Sequence, residues 1–194
     1  MGKHCKRFMT IAGLALLWLA GWPGQALAIS PCQLLTQAEA EQVLGEPVAE
    51  PRLTQVVGMA AGWKCFHHTA APLAQRGGVG AISLTLHDPA TMAGQEGLFK
   101  TPQQYFERIL SVQKSSKPEN ISEITGLGDK AFWSANGDTL HCLAGGNYLI
   151  LEVRDLTKMS APTRQELDQK LSQHRRELSE KVMRQYILPR LAKP

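Results

Sequence analysis

Few of the usual signatures of chemistry occur in this 194-residue chain. It has no G-x-S-x-G elbow, no H-E-x-x-H, no C-x-x-C and no C-x-x-C-H, which sets aside the commonest hydrolase, zinc-protease, thioredoxin-like and haem c designs. No repeat recurs at solenoid spacing and no long low-complexity run interrupts the chain. Long apolar segments are also lacking. The run from Phe8 to Ala20 is broken by Thr10 and Gly13 and ended by Gly21-Trp22-Pro23-Gly24, well short of the roughly 20 residues a spanning helix needs.

What that run does fit is a leader. Lys3, Lys6 and Arg7 precede it and Ala26-Leu27-Ala28 follows as a small-x-small cleavage site, the order found in secretory signal peptides. Cleavage is expected after Ala28, giving a periplasmic or secreted protein of residues 29–194 with no stable membrane insertion. A retained anchor is the alternative. A lipoprotein would need a cysteine directly after the cut, where Ile29 stands.

Removing the leader takes three of the 21 Lys and Arg and none of the 17 Asp and Glu, leaving 18 against 17, a net charge of +1. The sequence pI near 8.9 is therefore partly the leader's, and no nucleic-acid partner is expected without basic residues clustered on one surface. The remaining length suits a single domain with a sizeable core.

Cysteine is scarce too. Cys5 departs with the leader, so Cys32, Cys65 and Cys142 remain, an odd number for an oxidising compartment. One bridge and one free thiol is the simplest account. In Asp138-Thr139-Leu140-His141-Cys142-Leu143, Cys142 shares a strand face with Leu140, the expected core face. Cys32 and Cys65 stand nearer element edges, so Cys32–Cys65 is the expected bridge, with Cys65–Cys142 as the competing pairing if those strands are neighbours.

Ser30-Pro31-Cys32-Gln33-Leu34-Leu35-Thr36-Gln37-Ala38-Glu39 opens the mature chain. Thr36 and Glu39 have capping-box spacing, Leu35 can staple onto Ala40, and Gly45 with Pro47 ends the helix they start. Val48 to Gly62 reads as two short strands, or one strand and a loop. Gly62 to His68 and Val79 to His87 read as strands, joined by a turn-rich connection over 72–80. In the second of these, Ile82, Leu84 and Leu86 face one side and Ala81, Ser83, Thr85 and His87 the other, which is expected to be wet; Asp88-Pro89 ends it. Thr101-Pro102-Gln103-Gln104 starts a helix to about Gln113. Ile121 to Ile124, Lys130 to Ser134, Asp138 to Leu143 and Asn147 to Arg154 form an antiparallel meander, with Asn136-Gly137 expected to turn with positive φ at both residues. Thr163 and Glu166 suggest another capping box, on a helix reaching Pro189 whose Arg175, Arg176, Lys181 and Arg184 lie among Glu177 and Glu180 as a solvated face. The order of elements predicts an α+β fold, about three helices packed on one antiparallel sheet.

Pro31-Cys32-x-Leu34-Leu35-Thr36-x-x-Glu39 running to Leu44-Gly45, then Trp63-x-Cys65, then Gly126-Leu127-Gly128-Asp129-x-Ala131, resembles small secreted or lipoprotein domains of unknown function from bacterial envelopes. These open Pro-Cys-x-Leu-Leu-Thr and carry a second cysteine after the first strands. The resemblance implies an α+β domain bridged between Cys32 and Cys65 and supplies no activity. Cys142 and the His67-His68 pair lie outside its pattern, and the absent lipid-attachment cysteine departs from the lipoprotein members.

His67 and His68 are the most suggestive residues chemically, with His87 and His141 on other strands, because imidazole binds transition metals. Neighbours on a strand point to opposite faces, however, so the pair cannot share one tetrahedral site without a bulge. Gly126-Leu127-Gly128-Asp129-Lys130-Ala131 fits G-x-G-x-x-A, but a strand follows where a helix would hold the pyrophosphate, so it reads as a turn. Asp88, Asp129 and Asp138 are turn residues by position. The expectation is a non-catalytic envelope module with no cofactor, binding an unidentified envelope protein or a small ligand. A metal-binding protein using His67 or His68 is the alternative, and an enzyme of unrecognised type the third.

Overall fold

The structure is a computed structural model that describes residues 29–70, 80–94, 97–155 and 159–192. The leader with its cleavage site, and residues 72–79 of the expected connection, lie outside the described residues.

The chain enters through two short helices. In α1, Pro31–Leu34, Ser30 and Gln33 form a complete capping box that the Thr36-based reading overlooks. Thr36 and Glu39 form the expected one on α2, Gln37–Leu44, which Gly45 ends in the left-handed conformation at φ 70°. Leu34, Leu35, Ala40 and Leu44 are all buried, so both helices are held by what they cover rather than by their own length.

Seven strands follow in one antiparallel sheet: β1 Arg52–Val56, β2 Gly62–His68, β3 Ala81–His87, β4 Ile121–Ile124, β5 Lys130–Ser134, β6 Thr139–Ala144 and β7 Asn147–Arg154. Their order is β1-β2-β3-β7-β6-β5-β4. Two meanders are thus joined at β3 and β7, and between them α3, Pro89–Ala93, and α4, Pro102–Ser116, carry the chain to the far edge. The C-terminal run is α5, Arg164–Val182, a π turn over Met183–Ile187, and α6, Leu188–Leu191. The fold is α+β in a single sheet, with more helices than the three expected.

Cross-strand partners share a face, so the register divides the core. One face carries Cys65, Ile82, Leu84, Leu86, Leu151, Val153, Leu140, Cys142, Leu149, Ala131 and Trp133. It forms one cluster with Leu34 and Leu35 before the sheet and Val182, Met183 and Ile187 after it. The other face holds a smaller cluster of Phe106 from α4 with Phe132, Leu143 and Tyr148.

Several sequence expectations need correcting. Ser83, Thr85 and His87 are buried, not wet, because β3 is a central strand between β2 and β7 and His87 packs against Tyr105 of α4 and Tyr148. Asp88 does not simply end β3: its carboxylate accepts from Thr91 N and caps α3. Of the two readings of Val48 to Gly62, one strand and a loop is the one found, β1 and a tip, with a lone bridge from Val48 to Thr69 besides. Asn136-Gly137 is part of a four-residue loop in which Asp138 takes the positive φ, 49°. Positive φ at both central residues occurs instead at Gly145 and Gly146, 54° and 77°, the requirement of a type I′ hairpin.

At Thr101 and Thr163 only the hydroxyl half of the box forms, each accepting from the backbone N–H three residues on. Pro189 does not stop the last helix. The π turn ahead of it loosens the i to i−4 ladder, and the proline enters α6 in its first turn, where its missing N–H costs nothing. The charged run of this helix is in part the solvated face expected, with Glu177, Lys181 and Arg184 exposed, but its arginines are also engaged. Arg175 pairs with Asp138, Arg176 with Glu180, and Arg184 donates to Gly126 O at 2.6 Å. Farther on, Arg190 grips Glu39 with two hydrogen bonds of 2.7 Å and donates to Leu34 O at 2.8 Å. Burial raises the Glu39 pKa, but the hydrogen bonds from Arg190 and Thr36 outweigh it and hold the carboxyl below its ordinary value.

Candidate functional site

Cys32 and Cys65 are joined in a disulfide, with Cα atoms 5.2 Å apart. It ties α1 to the middle of β2, a more central position than the element edges expected. His67 lies on the same sheet face, fully buried, its Nε2 3.4 Å from Cys65 Sγ. Burial pushes the His67 pKa down, partly offset by the Leu35 backbone. His68 emerges on the other face and stacks on Phe66 at 5.7 Å. The strand alternation therefore separates the two imidazoles by the thickness of the sheet, and they cannot ligate one metal together. Cys142 is free and buried; burial foremost, then Asp129, pushes its thiol up to about 12, the condition of an inert side chain.

His87 and His141 are brought around Tyr148 beneath α4. His87 Nδ1 donates to Ala61 O at 2.8 Å, and its ring meets Tyr105 at 5.1 Å and Tyr148 at 5.5 Å. His141 stacks on Phe132 at 4.4 Å, with Nδ1 2.6 Å from the Tyr148 hydroxyl and Nε2 3.0 Å from Thr139 Oγ1. Burial depresses both histidines, His141 to about 3, and raises Tyr105 and Tyr148. These are neutral groups spent on holding one another. Among the described residues no three His, Cys, Asp or Glu side chains are placed to hold a metal ion.

A groove of about 510 Å³ opens between α4 and the β4–β5 turn. Phe106, Leu110 and Ala131 supply apolar surface, and the turn from Thr125 to Lys130 forms one wall. That wall is the Gly126-Leu127-Gly128-Asp129 motif, and β5 follows it directly, so it cradles no dinucleotide. It is rigid for physical reasons. Leu127 is buried in the core, Asp129 N donates to Leu143 O at 2.7 Å, and Asp129 Oδ2 accepts from Gly145 N at 3.0 Å. Gly128 has φ 62°, and a Cβ there would lie 2.6 Å from Leu143 O and 2.7 Å from Cys142 Sγ.

Two ion pairs frame the groove, Lys114 with Glu123 and Lys130 with Glu107. They run in opposite senses: α4 contributes an acid and a base two turns apart, and the sheet contributes their partners. The hydrogen bond from Lys114 holds Glu123 below the usual carboxylate range. Among the described residues no histidine, cysteine or serine lines the groove. Little in the sequence marks this site, since its residues come from segments some 20 positions apart and none belongs to a motif except the turn. A second depression of about 260 Å³, bounded by Phe66, Ala81, Ser83, Glu152 and Arg154, lies on the part of the same face that α4 leaves open.

Comparisons with models of known families, with curated proteins and with solved structures return no match. No helix of the described residues is long and apolar enough to cross a membrane.

Proposed function

We propose that this protein is an exported bacterial envelope module that binds a small amphipathic ligand without transforming it, in the groove between α4 and the β4–β5 turn. The leader ending at Ala28 and the resemblance to secreted Pro-Cys-x-Leu-Leu-Thr domains support the location, and a bridged Cys32–Cys65 is what an oxidising compartment favours. The observation that carries the binding reading is the groove's makeup: an apolar floor flanked by two oppositely directed ion pairs. Concave apolar sites with a few placed charges are the usual form of ligand pockets.

Isothermal titration with zwitterionic amphiphiles, apolar dipeptides first, tests this. Saturable binding that Leu110→Glu abolishes is expected. Chemical turnover of any bound compound, or binding indifferent to Leu110→Glu, would sink the reading.

A further inference from the structure

Two buried sulfurs of this molecule have opposite surroundings. Cys142 Sγ faces carbonyl oxygens, donating to Leu127 O at 3.7 Å and to Leu143 O at 3.9 Å, company that keeps the proton on a thiol and disfavours a thiolate. Cys65 Sγ faces an imidazole instead, with His67 Nε2 3.4 Å away. A disulfide sulfur carries no hydrogen, so Nε2 is the donor in that contact. Cys65 and His67 are both fully buried, where a hydrogen bond to a charged acceptor is strong.

His67 also differs from the other buried histidines. His87 places a ring nitrogen on Ala61 O, and His141 places both of its own on the hydroxyls of Tyr148 and Thr139. The Nδ1 of His67 makes no hydrogen bond of good geometry, although the Leu35 backbone is near enough to favour a protonated ring. What this imidazole is turned toward is the bridge. The two ends of that bridge are unequally accessible as well: Cys32 is half-buried beside the exposed Gln33, whereas Cys65 is at 0% exposure. A nucleophile from solvent meets Cys32 first.

We propose that the Cys32–Cys65 bridge is a thiol–disulfide exchange site, opened by a dithiol from the Cys32 side, with His67 receiving the Cys65 thiolate. One thiolate of the dithiol attacks Cys32 Sγ and forms a mixed disulfide, while the Cys32–Cys65 bond breaks and its electron pair leaves with Cys65. The His67 N–H stabilises that thiolate, and a better stabilised thiolate departs faster. The second thiolate of the dithiol then attacks its own sulfur in the mixed disulfide and releases Cys32. The dithiol ends as a cyclic disulfide, two electrons have passed to the bridge, and the two protons of the dithiol end on Cys32 and Cys65. The same path reversed closes the bridge. This exchange does not depend on the groove being a ligand site.

Timing of the opening tests it. The oxidised protein is treated with dithiothreitol without denaturant, and samples are quenched with iodoacetamide and mapped. Cys32 and Cys65 are expected to become alkylated before Cys142. Opening should be about tenfold slower in His67→Leu, which lacks the N–H, and largely restored in His67→Gln, whose amide keeps a donor. Glutathione in place of dithiothreitol should leave its adduct on Cys32 of the wild-type protein. An adduct on Cys65 overturns the proposal, as does alkylation of Cys142 at the same rate as the bridge, since opening would then follow global unfolding. So does a His67→Leu protein that is folded by circular dichroism and opens as fast as the wild type. If His67→Leu does not fold, the adduct position and the Cys142 label in the wild-type protein decide.

Discussion

The two faces of the sheet are solved in different chemistries. One is mainly aliphatic, with Trp133 and His67 as its buried exceptions, covered by helices from both ends of the chain and fastened by Cys32–Cys65. The other is aromatic and imidazole-rich, with Phe106, Phe132, Tyr105, Tyr148, His87 and His141, and has α4 as its main cover. Aliphatic side chains bury without leaving any polar atom to satisfy. Each buried phenol or imidazole needs a partner, and that demand fixes orientation closely. The difference teaches where stability and adaptability reside: the aliphatic face carries the fold, and the aromatic face, only partly roofed, leaves room for the groove and the open depression.

The largest expected effect falls on the fastened face. The bridge spans 33 positions, and in the chain-entropy model a loop of that size is worth about 3 to 4 kcal/mol. Paired Cys32→Ala and Cys65→Ala substitutions should lower unfolding stability by that amount in urea titration while leaving the near-ultraviolet signal of the aromatic face intact. A loss below about 1 kcal/mol would mean the aliphatic face does not need its staple.

Acid should discriminate next. His141 is depressed from 6.5 to about 3, so the unfolded chain takes up a proton as pH falls through 6.5 and the folded chain does not. The contribution is fully present above pH 6.5 and is lost progressively toward pH 3, at about 1.4 kcal/mol per pH unit for that group. His87 and His67 shift in the same direction and steepen the fall. His141→Gln should reduce the slope between pH 6 and 4.5 by about one proton, and an unchanged slope would show that this imidazole titrates normally.

The smallest effect belongs to the groove's frame. Lys130 and Glu107 are both largely exposed, and exposed pairs contribute between zero and about 1 kcal/mol. Lys130→Ala should leave the midpoint almost unmoved while weakening ligand titration, which separates a binding residue from a structural one.

Much of the aliphatic face was legible. Capping at Thr36, the break at Gly45, the second meander and the Cys32–Cys65 bridge all follow from local chemistry or strand alternation. The aromatic face was not, because alternation alone marks Ser83, Thr85 and His87 as wet and cannot say that β3 will be a central strand with His87 packed under α4. Likewise α3 hides inside Asp88-Pro89, which reads equally well as a strand stop or a helix start. The groove was invisible for a topological reason: it exists only once α4 has crossed to the β4 edge. The exposed side chains of Val57 and Met59 left a trace in the bare run Val56-Val57-Gly58-Met59, but exposure is decided by what packs nearby.

Arg190 reaches back 151 positions to Glu39 and to the carbonyls of α1, and this has a meaning in time. A ribosome delivers the N-terminus first, so the opening helices wait for almost the whole chain before their last partner exists. β3 waits as well, an unpaired edge until Tyr148 to Arg154 has been made. The first meander can form and even be bridged early, yet it remains an unfinished half with its apolar face uncovered. Completion is therefore a late, single event in which β7 zips onto β3 and the C-terminal run closes over the start of the chain.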